Sequence, residues 1–99
     1  MYERKILLGF IRVHILHHAE KEGIYGAAMI DELRRHGYAM SPGTLYPILH
    51  EMERDGALTS REAVVDGRRI RRYTATPAGS RLLRLLRSFV AELSREVIP

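Results

Sequence analysis

Residues 41–56, SPGTLYPILHEMERDG, leave the backbone little choice. Proline has φ locked near the helical value and no N–H to satisfy, so Pro42 suits the first position of a helix behind Ser41, a residue able to serve as N-cap. Leu45, Ile48, Leu49 and Met52 follow at the spacing of one helix face, and Gly56 is a natural stop. One short, sharply bounded helix is predicted. Its other face carries Thr44, Tyr46, His50 and Arg54, groups of the kind that hydrogen-bond phosphates and base edges. Ser41 and Thr44 add hydroxyls beside the unpaired N–H groups of a helix start. Pro47 removes the N–H that would reach Gly43, which loosens or kinks the first turn.

Two helical stretches come before it. From Glu3 to about Glu22 there is no proline, and Leu8, Ile11, Ile15 and Ala19 form one apolar stripe beside a second of Leu7, Phe10, His14 and His17. Two stripes on one helix predict one face in the protein's own core and another against a further helix or subunit. Gly23 is the expected C-terminal cap. Tyr25 to His36 forms a second short helix around Met29, Ile30 and Leu33, closed by Arg34, Arg35, His36 and then Gly37. Tyr38 to Met40 is a connector or a single pairing strand. Helices two and three are thus separated by the tight turn of a helix-turn-helix.

After Gly56 the period changes. Leu58–Val65 and Ile70–Ala75 are β-compatible runs around Asp66-Gly67, the strongest short-range hairpin signal. Arg61, Arg68, Arg69, Arg71 and Arg72 sit on this hairpin, against Glu62 and Asp66. Arginines at such a tip pair with phosphates or enter the minor groove. Alternation places Arg69 and Arg71 on one face and Arg68 and Arg72 on the other, so the five cannot all touch DNA at once; Arg68 and Arg69 are the strongest candidates. The expected fold is mainly α with a β-hairpin (α+β): a winged helix-turn-helix.

Thr76-Pro77 repeats the cap-then-proline opening and starts a last helix, Ala78–Val97. Leu82, Leu86, Phe89 and Leu93 step by four, three and four like a coiled-coil seam, widened by Leu83, Leu85, Val90 and Val97. A 99-residue chain has no partner left over for so broad a stripe. A second copy is the expected partner, with Leu7, Phe10, Leu82, Leu86, Phe89 and Leu93 at the homodimer contact. Residues 1–75 are then the winged helix-turn-helix DNA-binding part and 76–99 the C-terminal dimerisation helix, in one compact unit.

Sixteen basic against twelve acidic residues give a net charge of +4, which favours a polyanionic partner such as double-stranded DNA. Cysteine is absent, which removes disulfides, thiolate ligands and thiol nucleophiles and fits a reducing cytoplasm. No apolar run approaches the roughly 18 residues of a membrane span, and no signal peptide is recognisable. The expected setting is cytoplasmic, without membrane. No nucleophile elbow, phosphate loop or HExxH arrangement is present, so the chain is not expected to be an enzyme.

The run SPGTLYPILHEMERDG, the basic hairpin segment GRRIRRY, then TPAG, with IYG ahead of helix two, resembles the PadR family of bacterial transcriptional regulators over about Leu7 to Leu86. The chain is similar to short members whose C-terminal part is a single dimerisation helix. The resemblance implies a winged-helix homodimer that represses transcription at an operator and releases DNA when an effector binds. The candidate DNA contacts are Ser41, Pro42, Gly43, Thr44, Tyr46, His50, Arg68, Arg69 and Arg71.

Helix one holds the main competing signal. His14 and His18 stand four apart and His14 and His17 three apart, so either pair can meet one transition metal ion. Further ligands would come from a dimer mate, His50, Glu20 or Glu22. No cofactor is required by the sequence, but His14, His17 and His18 make a metal effector such as zinc or cadmium an alternative to a small-molecule one. The plainer reading is that His14 and His17 are packed or interfacial and His18 half exposed. A protein-interaction module on the same fold is a third reading, although such a module has no need of five wing arginines.

Overall fold

The computed structural model describes residues 2–99. It comprises helix α1 (Tyr2–Lys21), strand β1 (Ile24–Tyr25), helices α2 (Gly26–Arg35) and α3 (Pro42–Arg54), strands β2 (Leu58–Val65) and β3 (Arg68–Ala75), and helix α4 (Pro77–Val97). Four helices and a three-stranded antiparallel sheet of order β1-β3-β2 make an α+β winged helix. No helix among the described residues is long and apolar enough to cross a membrane.

The glycine stops act as expected. Gly37 and Gly56 both have positive φ, 91° and 86°. After α2 the N–H of Tyr38 bonds to Leu33 O and that of Gly37 to Arg34 O; after α3 the N–H of Ala57 bonds to Met52 O and that of Gly56 to Glu53 O. Each pair is a Schellman closure, which satisfies the last carbonyls and turns the chain sharply. The hairpin turns on Asp66 and Gly67 alone, at φ 51° and 74°, the left-handed pair a two-residue I′ turn requires. Val65 therefore pairs with Arg68, and β3 begins two residues earlier than the apolar run suggested.

Two other expectations change, and a third, the connector or strand at Tyr38–Met40, resolves to the connector. Ile24 and Tyr25 are not simply an entry to α2: they pair with Tyr73 and Arg72 as a third strand, a two-residue element too short to show periodicity. Tyr38–Met40 forms no strand; Met40 is buried, and its carbonyl accepts from Arg34 Nη2 at 3.2 Å. The serine cap of α3 is not made either. Ser41 holds the N-cap position, but its hydroxyl donates to Thr44 Oγ1 at 3.3 Å, whereas Thr76 at the start of α4 accepts from Gly79 N–H at 3.0 Å.

The core joins Ile11, Ile15, Leu16 and Ala19 of α1 to Met29, Ile30 and Leu33 of α2, Leu45, Ile48, Leu49 and Met52 of α3, Leu58 and Tyr73 of the hairpin and Leu83 of α4. Leu16 widens the first α1 stripe by one position, and Leu8 is only half-buried. Arg12 of α1 fixes α3 in place by donating from Nε and Nη2 to one oxygen of Glu51, at 3.3 and 2.9 Å.

Candidate nucleic-acid interface

Helix α3 buries the four residues that its spacing singled out and leaves Ser41, Pro42, Gly43, Tyr46 and His50 exposed, with Thr44 half-exposed. Thr44 Oγ1 also accepts from Arg4 Nη2 at 3.4 Å, a contact to α1 that the sequence did not signal. Tyr46 and His50 lie one turn apart with ring centroids 6.4 Å apart. Tyr46 leans on the start of α2: a Cβ on Gly26 would come within 2.4 Å of its hydroxyl oxygen. Gly26 is thus a close-approach glycine that lets the hydroxyl end of the Tyr46 ring reach the start of the neighbouring helix.

The wing meets this face. A cleft of about 280 Å³ is lined by Tyr46 and His50 of α3, Arg69, Arg71 and Tyr73 of β3, and Tyr25 and Gly26. Arg71 is held there by a relay: its Nη1 donates to Ser60 Oγ at 3.1 Å, and the Ser60 hydroxyl donates to the Glu53 carboxylate at 2.8 Å. Arg69 is freer, its nearest acid Glu62 lying 3.7 Å away with both groups largely in solvent. Such an exposed pair exchanges readily for another anion. Arg68 is exposed beside the turn, on the face of β3 turned away from the cleft. Arg72, on that same far face, is structural: it donates to Glu22 O and lies against Gly23, where it counters the negative end of α1. Of the five hairpin arginines, the fold brings Arg69 and Arg71 together with Tyr46 and His50.

Residues 15–85 match the model of the Transcriptional regulator PadR-like family. The chain belongs to the PadR family of transcriptional regulators. Transcriptional regulator Rv3488 of Mycobacterium tuberculosis is 54% identical over 88 residues, 89% of this chain and 82% of that protein. The crystal structure of a PadR family regulator from Eggerthella lenta matches with TM-score 0.82 at 26% identity, over 97% of this chain and 85% of that one. A PadR-like regulator from Bacillus cereus shares the fold, with TM-score 0.86 at 24% identity over 94% of this chain and 92% of that one. Family and relatives are transcriptional regulators rather than enzymes.

In this PadR-family chain, α4 divides into two halves. Leu83 is buried and Leu86 partly so, packed on the protomer's own core, whereas Leu82, Phe89, Val90, Leu93 and Val97 are 40–61% exposed. Leu83 therefore leaves the spare stripe to which its spacing assigned it, because it packs into the protomer's own core. Phe10 is 42% exposed, Leu7 half-buried. Phe10, Val13 and His17 of α1 face Leu83, Val90 and Leu93 of α4 across an open, largely apolar groove of about 620 Å³.

The histidines regroup. His14 and His18 converge with His36 of α2, their ligand atoms all within 4.8 Å of one another, and His17 stays outside. Steps of 100° per residue explain this: His17 lies about 60° to one side of His14 and His18 about 40° to the other. His17 consequently faces α4, with Nδ1 3.5 Å from Arg87 Nη2, while His18 faces α2. None of His50, Glu20 and Glu22 joins the group; Glu20 faces Arg87 at 3.5 Å. Glu32 does approach, its Oε1 3.1 Å from His36 Nε2 and 3.5 Å from His18 Nε2. Burial, reinforced by the neighbouring imidazoles, holds His14 below the ordinary histidine value; burial does the same for His18 against the pull of Glu32. Hydrogen bonds from Arg35 and His36 hold the Glu32 carboxyl below its usual range. His36 and Glu32 carried a signal that the sequence reading missed: they repeat on α2 the four-residue spacing of His14 and His18.

Proposed function

We propose that the chain is a repressor that binds a palindromic operator as a homodimer and is released by an effector. The observation that carries this reading is the cleft in which Tyr46 and His50 of α3 meet Arg69 and Arg71 of the wing. A helix presenting aromatic and imidazole groups suits the major groove, and guanidinium groups beside it suit the flanking phosphates. Residues 1–75 supply this surface. Residues 76–99 supply the mate through exposed Phe89, Val90 and Leu93, with Phe10 of α1 on the same groove. Two-fold symmetry then sets half-sites about 10 base pairs apart, or a multiple of that. The effector acts where the two copies meet, since the groove under α4 is open and apolar there.

Selection of binding sites from random duplex DNA tests operator and symmetry together. A palindrome is the expected product; enrichment of single half-sites without symmetry would refute the dimeric reading. Anisotropy titrations at several salt concentrations test the wing. Arg69→Ala should weaken binding uniformly across sequences and reduce the salt slope by about one. An unchanged slope would remove Arg69 from the interface.

A further inference from the structure

We propose that His14, His18 and His36, together with the Glu32 carboxylate, form a binding site for a divalent transition metal ion of the zinc class. The site goes beyond the DNA-binding reading and does not depend on it.

Two crossed pairs build it. On α1, His14 and His18 project from one face a turn apart; at the C-terminal end of α2, Glu32 and the C-cap residue His36 stand at the same four-residue spacing. Helices α1 and α2 pack so that the two pairs oppose each other, and the three imidazoles bring one nitrogen each within 4.8 Å of the others. A tetrahedral ion with metal–nitrogen bonds of about 2.0–2.1 Å needs ligand atoms roughly 3.4 Å apart. Closing from 4.8 Å takes only side-chain rotation, and the cluster has room for it: His36 is exposed, and His14 and His18 are half-buried. His14 already stacks on His36 with ring centroids 4.9 Å apart, and Tyr38 meets His14 edge-on at 5.4 Å.

The fourth ligand comes from Glu32, which adjoins two of the three imidazoles and lies outside the group that already converges. Glu32 Oε1 lies 3.1 Å from His36 Nε2 and 3.5 Å from His18 Nε2, within reach of an ion held by those rings. Arg35 holds the other oxygen of that carboxylate, which leaves one oxygen for the ion and fixes its direction from outside the ligand shell. The donor set is then three imidazoles and a carboxylate, matched to zinc, cobalt, nickel or copper. The chain has no cysteine, so the soft thiolate donors that favour thiophilic ions are missing. An ion held there ties the C-terminal end of α2 to the middle of α1. His14 and Tyr38 also line the groove under α4, so the bound ion adjoins that surface.

The test uses the full chain, freed of metal by a chelator and titrated with Co²⁺. One equivalent per chain should produce the visible absorption of a tetrahedral nitrogen–oxygen site, and Zn²⁺ should abolish it by displacement. Zn²⁺ should raise the Tm of the wild type. His36→Ala, an exposed position whose loss leaves the core intact, should weaken Zn²⁺ binding by about tenfold or more. His14→Ala should do the same, while His17→Ala and His50→Ala should bind as the wild type does. Far-UV circular dichroism of each variant checks that the fold persists. Absence of the cobalt spectrum, undiminished binding by His36→Ala, or loss on His17→Ala in place of His36→Ala would each overturn the site.

Discussion

At the scale of single residues, the short motif TPAG is explained by one junction. Thr76 caps α4 through Gly79 N–H, donates its own hydroxyl to Gly56 O at 2.5 Å, and bonds through its backbone N–H to Ala57 O. Gly79 lies so close to this strap that a Cβ would stand 2.0 Å from Ala57 O. Ala57 is itself held by the Schellman bond to Met52, so the backbone there cannot yield. Gly79→Ala should therefore destabilise the protein by about 1–3 kcal/mol, although alanine favours a helix by about 1 kcal/mol. Gly43→Ala, where the nearest neighbour is Ser41 Oγ at 3.9 Å, should cost nothing. Equal urea midpoints for the two variants would contradict this account. Tyr73 offers a second prediction. Burial, with Glu53 nearby and against the pull of Arg71, raises its phenol above the ordinary value, so the native state favours the neutral form. The stability this confers is fully present below about pH 10, the unfolded value, and is lost as pH rises beyond it. Tyr73→Phe should lose less stability than the wild type over that range in pH-dependent urea melts; identical alkaline limbs would count against it.

At the scale of elements, α3 and α4 each have two faces with separate duties. The apolar face of α3 sits in the core, while Tyr46 and His50 on its other side depend on Gly26 and on the wing for their setting. In α4 the division runs along the axis as well as around it: Leu83 is a core residue, while Phe89 and Leu93 are surface. Leu83→Ala should cost about 2–5 kcal/mol by opening a cavity in the protomer. Leu93→Glu should leave far-UV circular dichroism unchanged and convert the proposed homodimer to monomers in sedimentation velocity. A Leu93→Glu protein that still sediments as a dimer would move the subunit contact away from α4.

At the scale of the whole molecule, the outline is elongated, 49 × 29 × 20 Å. From Ser88 onward every residue is exposed, so the last turns of α4 add nothing to the buried core of the protomer. In the proposed homodimer, covering Phe89, Val90, Leu93 and Val97 would contribute roughly 25 cal/mol for each Å² of apolar surface removed from water. The net charge of +4 is spread unevenly, with Arg68, Arg69, Arg71 and Arg72 within one strand. That concentration makes operator affinity salt-dependent, because each phosphate neutralised releases counterions.

The sequence by itself determined the elements and their ends. Proline openings, glycine stops and apolar spacing are local signals, set by φ restriction and by which side of a helix a residue falls on, and they located α1, α3, the hairpin and α4 to within a few residues. It determined the buried face of α3 for the same reason. Only the tertiary structure decided which surfaces meet. The pairing of Ile24 and Tyr25 with β3, the retreat of Arg72 to the end of α1 and the burial of Leu83 each depend on a neighbour far away in sequence. The exchange of His17 for His36 depends on the angle at which α2 crosses α1, which no spacing within α1 contains. Periodicity reports the direction in which a side chain points from its own helix; what waits in that direction is a property of the packed chain.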